Sequence, residues 1–544
     1  MPSKPLRPAV AILSVLVATA AVAGCTAQDP AERTIAVDTA ENPAVDAIAL
    51  AAGSSDAEVD AAIDRAVEGL PDIVDAAMEE SGVPGAAVAV VHGGEVVYSD
   101  GFGVKLVGED DPIDDETVFQ IASVSKSLSA TVVARAITEG VITWDTPVSE
   151  AMPGFALSDP YVTSHATVGD YFAHRSGLAT GAGDDLEDLG YDRAYILDHL
   201  RLQPLSAFRS TYNYSNFGIT IGAEATADAL GMSWEDAAER LLYEPLGMSA
   251  TSSRYDDFLA QRNRATIHEF VDGEFQPLYE RDPDPQSPAG GVSSNVIDLA
   301  AWMNMVLAGG SASGEELIDG EALVAATTGE MISGHPDAYT ARTSMYGYGF
   351  NVGTQLNGRT SFSHSGAFIL GAATNFQMVP SLDLGIVTLT NGGPQGVPEA
   401  IDAAFLDLVQ YGHVTRDWES AYAAAMAHYY DPEGDLVGQE PPADASAPGA
   451  AADYAGTYTN DYFGDLVITA AEDGLAGAMG PDGQYPLDLS PWNGDMFSFV
   501  PTSENSPPGS LSSAAFSRDG GAVTSVTMAY FDRYGLGTWQ KVSP

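Results

Sequence analysis

The chain has 544 residues, 45% of them apolar and 18% charged, which suits two or three folded domains and excludes a disordered chain. Its 76 acidic residues outweigh 22 basic ones, for a formal net charge of −54. A surface of that sign repels a phosphate backbone, so nucleic acid is excluded as a partner. One cysteine, Cys25, leaves no intramolecular disulfide.

Lys4 and Arg7 precede an apolar stretch from Ala9 to Ala23, closed by Val22-Ala23-Gly24-Cys25. The stretch is too short to span a bilayer and reads as a secretory signal over residues 1–24. Its end resembles a bacterial lipobox. That implies cleavage before Cys25, a lipid on Cys25 and an exported protein anchored at the cell surface or in the periplasm. An ordinary secretory signal with an incidental cysteine is the alternative. Residues 25–55 are rich in Ala, Asp and Glu, carry no aromatic residue and read as a flexible tether.

A first folded unit is expected over residues 56–430. Asp56 to Glu80 has helical spacing, with Pro71 expected to kink or divide it. Ala86–Val91 and Glu95–Tyr98 flank His92-Gly93-Gly94 and predict a hairpin. An irregular acidic segment then delivers the chain to Phe119-Gln120-Ile121-Ala122-Ser123-Val124-Ser125-Lys126. If Ser123 opens a helix, Lys126 lies one turn on and on the same face. A serine hydroxyl needs a base within hydrogen-bond reach to act as a nucleophile, and a helix start adds N–H donors for an oxyanion. By itself the pattern is also that of a polar helix start with a surface lysine. Lysine is scarce here, however: the chain has only Lys4, Lys105, Lys126 and Lys541.

The helix is expected to continue through Leu128–Glu139 as a buried element. His174, in His174-Arg175-Ser176-Gly177-Leu178, is read as ordering the loop beside the site, and Asp184–Leu202 as a rim or lid. Tyr214-Ser215-Asn216 precedes an apolar helix from Ile219 to Leu230. Gly290-Gly291-Val292 precedes another from Val296 to Ala308. Thr360–Ser365, Ala372–Met378 and Gly385–Thr390 read as strands, and Pro398–Val409 as a helix. Strands early and late with helices between predict an α+β fold: one antiparallel sheet flanked by helices, with an all-helical subdomain inserted. Residues 431–452 read as a linker. Residues 453–544 show six short alternating strands and predict a small antiparallel β-barrel or sandwich.

Three signals fall in order: Ser123-x-x-Lys126, Tyr214-Ser215-Asn216 and His364-Ser365-Gly366. Tyr214 can place a phenolic oxygen in a proton relay with Lys126. Asn216 offers an amide to a substrate carbonyl. His364 offers a polar side chain, and Gly366 lets a substrate backbone approach closely. The N–H of Ala367 can pair with that of Ser123 as an oxyanion hole.

Taken together, these residues resemble the serine β-lactamase and DD-peptidase superfamily, in the branch that holds class C β-lactamases, D-amino-acid peptidases and related esterases. The resemblance covers about residues 60–415 through FQIASVSKSLSA, HRSGL, YNYSNFGITIG, PAGGVSSNVIDLAAWM and HSGAFILGAATNFQMVP. The last ninety residues resemble the small β-domain often appended to such hydrolases. The resemblance implies a hydrolase in which Ser123 is acylated and then freed by water. Lys126 and Tyr214 form the base system, with Lys126 neutral when it acts. Asn216, His364, Gly366 and Ala367 meet the substrate. It implies no metal and no organic cofactor, and a small-molecule or peptide substrate. One departure is informative. His364-Ser365-Gly366 stands where penicillin-recognising members carry Lys-Thr-Gly, which removes a fixed cation for a substrate carboxylate. Peptide, amide or ester substrates, including D-amino-acid peptides, are therefore preferred over the alternatives of a β-lactamase or DD-carboxypeptidase. A non-catalytic binder of cell-wall fragments is a further alternative.

Overall fold

The computed structural model describes residues 50–542 apart from 52, 337 and 340. The predicted signal segment, Cys25 and residues 26–49 of the tether lie outside the described residues. Among the described residues no helix is long and apolar enough to cross a membrane.

Helix α1 (Asp56–Ser81) opens where the Ser55 N–H donates to the Glu58 carboxylate at 2.8 Å and closes on Gly82 at φ 73°. Its predicted apolar stripe is buried through Ala62, Ala66, Leu70 and Val74. Pro71 does not divide it. The carbonyl deprived of its N–H partner belongs to Val67, on a half-exposed turn where water can serve it, while Leu70 and Val74 hold both flanking turns to the core.

Strands β1 (Gly85–His92) and β2 (Glu95–Gly103) form the expected hairpin. Ala86, Val88 and Val90 face one core cluster, and Ala87, Ala89 and Val91 face the other. Burial on both faces is why this run is continuously apolar.

The helices that frame the site are α2 (Ser125–Thr138), α3 (Val168–Phe172), α4 (Asp184–Asp188), α5 (Asn216–Leu230), α6 (Ser287–Gly290) and α7 (Val296–Leu307). The chain then returns to the sheet as β3 (Met331–Gly334), β4 (Ser344–Tyr346), β5 (Asn351–Thr354), β6 (Thr360–Phe368), β7 (Ala372–Val379) and β8 (Leu384–Thr390), followed by α8 (Val397–Tyr411). The antiparallel order is β2-β1-β8-β7-β6-β5-β4-β3, with early and late strands joined by the β1–β8 pair. Helices α1 and α8 cover one face and α7 the other.

Helix α3 is tied down by Asp170, which is fully buried. Its carboxylate accepts from the Thr167 N–H at 3.0 Å, Arg175 Nε at 2.7 Å and Arg209 Nη2 at 2.7 Å. Burial pushes this carboxyl up, but the donors from Arg209, Thr167 and Arg175 outweigh it and hold it below the usual carboxylate range. The pairing therefore stabilises the fold at neutral pH, and that contribution is lost as pH falls through the depressed pKa.

The C-terminal region closes into an eight-stranded antiparallel barrel: β9 (Gly456–Thr459), β10 (Leu466–Ala471), β11 (Gly474–Met479), β12 (Tyr485–Asn493), β13 (Met496–Phe499), β14 (Ser512–Asp519), β15 (Ala522–Met528) and β16 (Thr538–Lys541). Strands β9 and β12 are additions to the six expected. In β12, Tyr485, Leu487 and Leu489 point inward with Pro486 and Asp488 outward, a true alternation hidden by two prolines. The barrel docks on the helical part. The Tyr462 hydroxyl donates to Asp185 Oδ1 at 3.0 Å, and that of Tyr534 donates to the Thr180 carbonyl at 2.8 Å.

Candidate active site

Two residues of extended chain set the approach to Ser123. Phe119 and Gln120 pair with Ser294 and Ser293, and the Ile121 N–H donates to the Val292 carbonyl at 3.0 Å. Ala122 then takes φ 46°, a left-handed conformation that is strained for a residue with a Cβ and costs about 1–3 kcal/mol. Ser125 pins this bend: its hydroxyl donates to the Ala122 carbonyl at 2.6 Å and accepts from the Val292 N–H at 3.0 Å. Ser123 thus sits in a single 3₁₀ turn, Ala122–Val124, and α2 begins two residues later than the sequence pattern suggests. Ser123 and Lys126 still share one side.

Lys126 is fully buried. Its Nζ donates to Ser123 Oγ at 2.9 Å, Asn216 Oδ1 at 2.7 Å and the Ala289 carbonyl at 2.8 Å. The Tyr214 hydroxyl donates to Ser123 Oγ at 2.9 Å, and Lys126 Nζ stands 4.6 Å from the centre of the Tyr214 ring. The serine oxygen is therefore flanked by an amine and a phenol.

Tyr214 is placed from both sides by His174. The His174 carbonyl accepts from the Asn213 N–H at 2.9 Å, and its Nδ1 accepts from the Ser215 N–H at 3.1 Å. The histidine takes φ 56° to do this, and its ring packs 4.5 Å from that of Tyr214. Ser215 caps α5 by accepting from the Gly218 N–H at 3.0 Å, which brings Asn216 into the first turn. Both ends of the Asn216 amide are engaged within the protein. Oδ1 accepts from Lys126, and Nδ2 faces the Asp184 carboxylate at 3.3 Å. Burial, and then the nearby Glu187, push the Asp184 carboxyl up to about 7.

Strand β6 passes the serine on the other side. Its pairing with β5 ends at Ser363, so among the described residues no strand pairs with that edge beyond it. Gly366 is packed so tightly that a Cβ there would lie 2.3 Å from the Ile121 carbonyl oxygen and 2.9 Å from the Ser123 nitrogen. Thr374, opposite Gly366 on β7, donates to the same Ile121 carbonyl at 2.8 Å. Ala367 is the next residue and is partly exposed.

His364 was expected to offer its side chain to the substrate. It is fully buried, with Nδ1 bonded to the Ser365 carbonyl at 2.6 Å and Nε2 to the Tyr346 hydroxyl at 2.9 Å. Both ring nitrogens are committed inside the protein. Burial, and then the Lys126 charge, push its pKa down to about 3, so the ring is neutral at physiological pH. The same two causes, burial and then the Lys126 charge, push His174 well below the usual histidine range.

Sequence reasoning had no signal for the Ala289 carbonyl, because a backbone acceptor leaves no residue type to read. Asp184 was hidden in an acidic run. Helix α4 opens the segment expected as a rim or lid; its Asp184, Leu186 and Glu187 are buried, and Asp185 accepts from the Tyr462 hydroxyl of the barrel at 3.0 Å. Among the described residues no group of three or more His, Cys, Asp or Glu is placed to hold a metal ion.

Residues 70–411 match the family model Beta-lactamase, and residues 440–537 match a domain of unknown function (DUF3471). Penicillin-binding protein 4 of Amycolatopsis lactamdurans is 28% identical over 338 residues, covering 59% of this chain and 84% of that protein. An unguisins hydrolase of Aspergillus violaceofuscus is 27% identical over 468 residues, covering 76% of this chain and 79% of that one. The octameric penicillin-binding protein homologue from Pyrococcus abyssi superposes with a TM-score of 0.55 at 19% identity, over 87% of this chain and 100% of that one. At that identity the last likeness speaks for the fold alone. With the family model spanning most of the chain, this protein belongs to the β-lactamase family of serine hydrolases.

Proposed function

We propose that this chain is an exported hydrolase that cleaves ester or peptide bonds through an acyl-enzyme on Ser123. The observation that carries the reading is the pair of 2.9 Å contacts to Ser123 Oγ, one from Lys126 Nζ and one from the Tyr214 hydroxyl. Ser123 Oγ attacks the substrate carbonyl as its proton passes to the Lys126–Tyr214 pair. The tetrahedral oxyanion is held by the N–H groups of Ser123 and Ala367. Collapse breaks the bond to the leaving alcohol or amine, which takes the proton back from the same pair. Water then attacks the acyl-enzyme, gives a proton to the pair, and releases the acid and free Ser123. Asn216 orients Lys126 through its amide oxygen, and the close approach of Gly366 sets the width of the oxyanion site.

The neutral, internally bonded His364 supplies no fixed cation for a substrate carboxylate. That supports esters and peptides, D-amino-acid peptides among them, over β-lactams or DD-carboxypeptidase substrates. The name of the unguisins hydrolase agrees with hydrolytic chemistry on this scaffold. The N-terminal sequence supports export and a lipid on Cys25, and with them a substrate at the cell surface or in the periplasm.

A substrate panel tests the preference. The expected result is that 4-nitrophenyl esters or aminoacyl 4-nitroanilides of D- or L-residues are turned over with at least tenfold higher kcat/KM than a chromogenic cephalosporin. A cephalosporin turned over fastest would reverse the preference and make the chain a β-lactamase.

A further inference from the structure

Arg281 lies just ahead of α6, and its side chain is only 11% exposed. Its guanidinium pairs with Glu187 Oε2 at 3.1 Å and Glu504 Oε2 at 2.8 Å, and stands 5.2 Å above the Phe368 ring at the end of β6. Its carbonyl accepts from Gln120 Nε2 at 2.8 Å, three residues ahead of Ser123. Glu504 arrives from elsewhere: it belongs to the barrel, in the loop between β13 and β14. Its other oxygen accepts from the Ile369 N–H at 3.2 Å. Ile369 is two residues past Ala367, in the turn that follows β6.

One carboxylate suffices to neutralise a buried guanidinium, and Arg281 already has Glu187, whose side chain is 5% exposed. Glu504 adds a second carboxylate at the same spot. Glu187 Oε1 meanwhile has no hydrogen-bond partner among the described residues. Charge balance does not require Glu504. Its contacts, one oxygen on a guanidinium and the other on a backbone N–H, are those by which proteins hold a carboxylate ligand.

We propose that Arg281 and the Ile369 N–H form a carboxylate subsite beside the acylation site, and that Glu504 of the C-terminal barrel occupies it. The barrel thereby sets substrate choice, by filling the position that a carboxylate-terminated substrate would take. The inference rests on the acyl-transfer reading of Ser123.

The test uses the full chain and compares kcat/KM for 4-nitrophenyl butyrate with that for the mono-4-nitrophenyl esters of succinic and glutaric acid. In Glu504→Gln and Glu504→Ala the ratio of acidic to neutral ester should rise at least tenfold. In Glu433→Gln, which removes a linker carboxylate paired with Arg533 of the barrel instead, the ratio should stay as in the wild type. Adding Arg281→Met to Glu504→Gln should abolish the rise. A ratio unchanged in both Glu504 variants, or raised equally in Glu433→Gln, would overturn the subsite. Glutarate binding by calorimetry separates this inference from the one beneath it. Binding to Glu504→Gln but not to the Arg281→Met double variant supports the subsite even if no ester is turned over, an outcome that would count against the acyl-transfer reading alone. No glutarate binding to Glu504→Gln counts against the subsite.

Discussion

Replacing Lys126 by methionine is expected to lower kcat/KM for the best substrate about 10³- to 10⁴-fold, the upper range for removal of a general base, or about 4–5 kcal/mol of transition-state stabilisation. Methionine keeps the length and most of the volume of the buried stem. It removes the amine that contacts Ser123 Oγ, Asn216 Oδ1 and the Ala289 carbonyl. Losing the amine costs about 1–3 kcal/mol for each buried acceptor it served, while a buried amine replaced by a thioether returns a comparable amount. Thermal unfolding should therefore move by only a few degrees, and the loss should appear in kcat. Steady-state kinetics with a melting curve on the same sample measures both. Loss of activity in step with loss of folded protein would make Lys126 a structural residue.

Gly366→Ala is expected to lower kcat about 10²- to 10³-fold while destabilising the fold by about 1–3 kcal/mol. The added Cβ has no room: the Ile121 carbonyl oxygen would lie at 2.3 Å, Thr374 Oγ1 at 2.4 Å and the Ser123 nitrogen at 2.9 Å. Two of these are backbone atoms of the strand and turn that carry the nucleophile, so β6 must move away from Ser123. A displacement of about 1 Å between acylation site and oxyanion donor is enough for a loss of this size. A kcat within about fivefold of wild type would mean that β6 does not set the oxyanion site.

Much of this arrangement was legible from residue types. The continuous apolar run of β1, the apolar spacing of α1 and the glycine at 366 each carry a local physical requirement that only certain residues meet. The Ser-x-x-Lys spacing was readable because a lysine is rare here and one helical turn puts both groups on the same side. What stayed hidden depends on partners distant in sequence. Pro71 marks a break only where the neighbouring turns are not held by the core, and Leu70 and Val74 hold them. Pro486 and Pro491 masked β12, because its inward residues matter only once the barrel closes. His364 reads as an open donor until Tyr346 and the Ser365 carbonyl are found on its two nitrogens. Arg281 and Glu504 lie 223 positions apart and meet only because the barrel docks against β6.

The barrel adds one carboxylate, Glu504, to the acidic cluster that α4 of the hydrolase body already carries beside Arg281. Helix α4 supplies Glu187 and Asp188, and the barrel supplies Glu504, around the single Arg281 guanidinium. This part of the acid excess is therefore buried at the site, whatever the role of the charge on the solvated surface.

The central claim is that Ser123 is the residue that becomes acylated. Incubation with a fluorophosphonate, followed by intact mass measurement and peptide mapping, tests it most directly. The expected result is a single adduct on Ser123, absent from Ser123→Ala and formed more slowly by Lys126→Met. Equal labelling of Ser123→Ala, or an adduct mapped to another residue, would contradict the account.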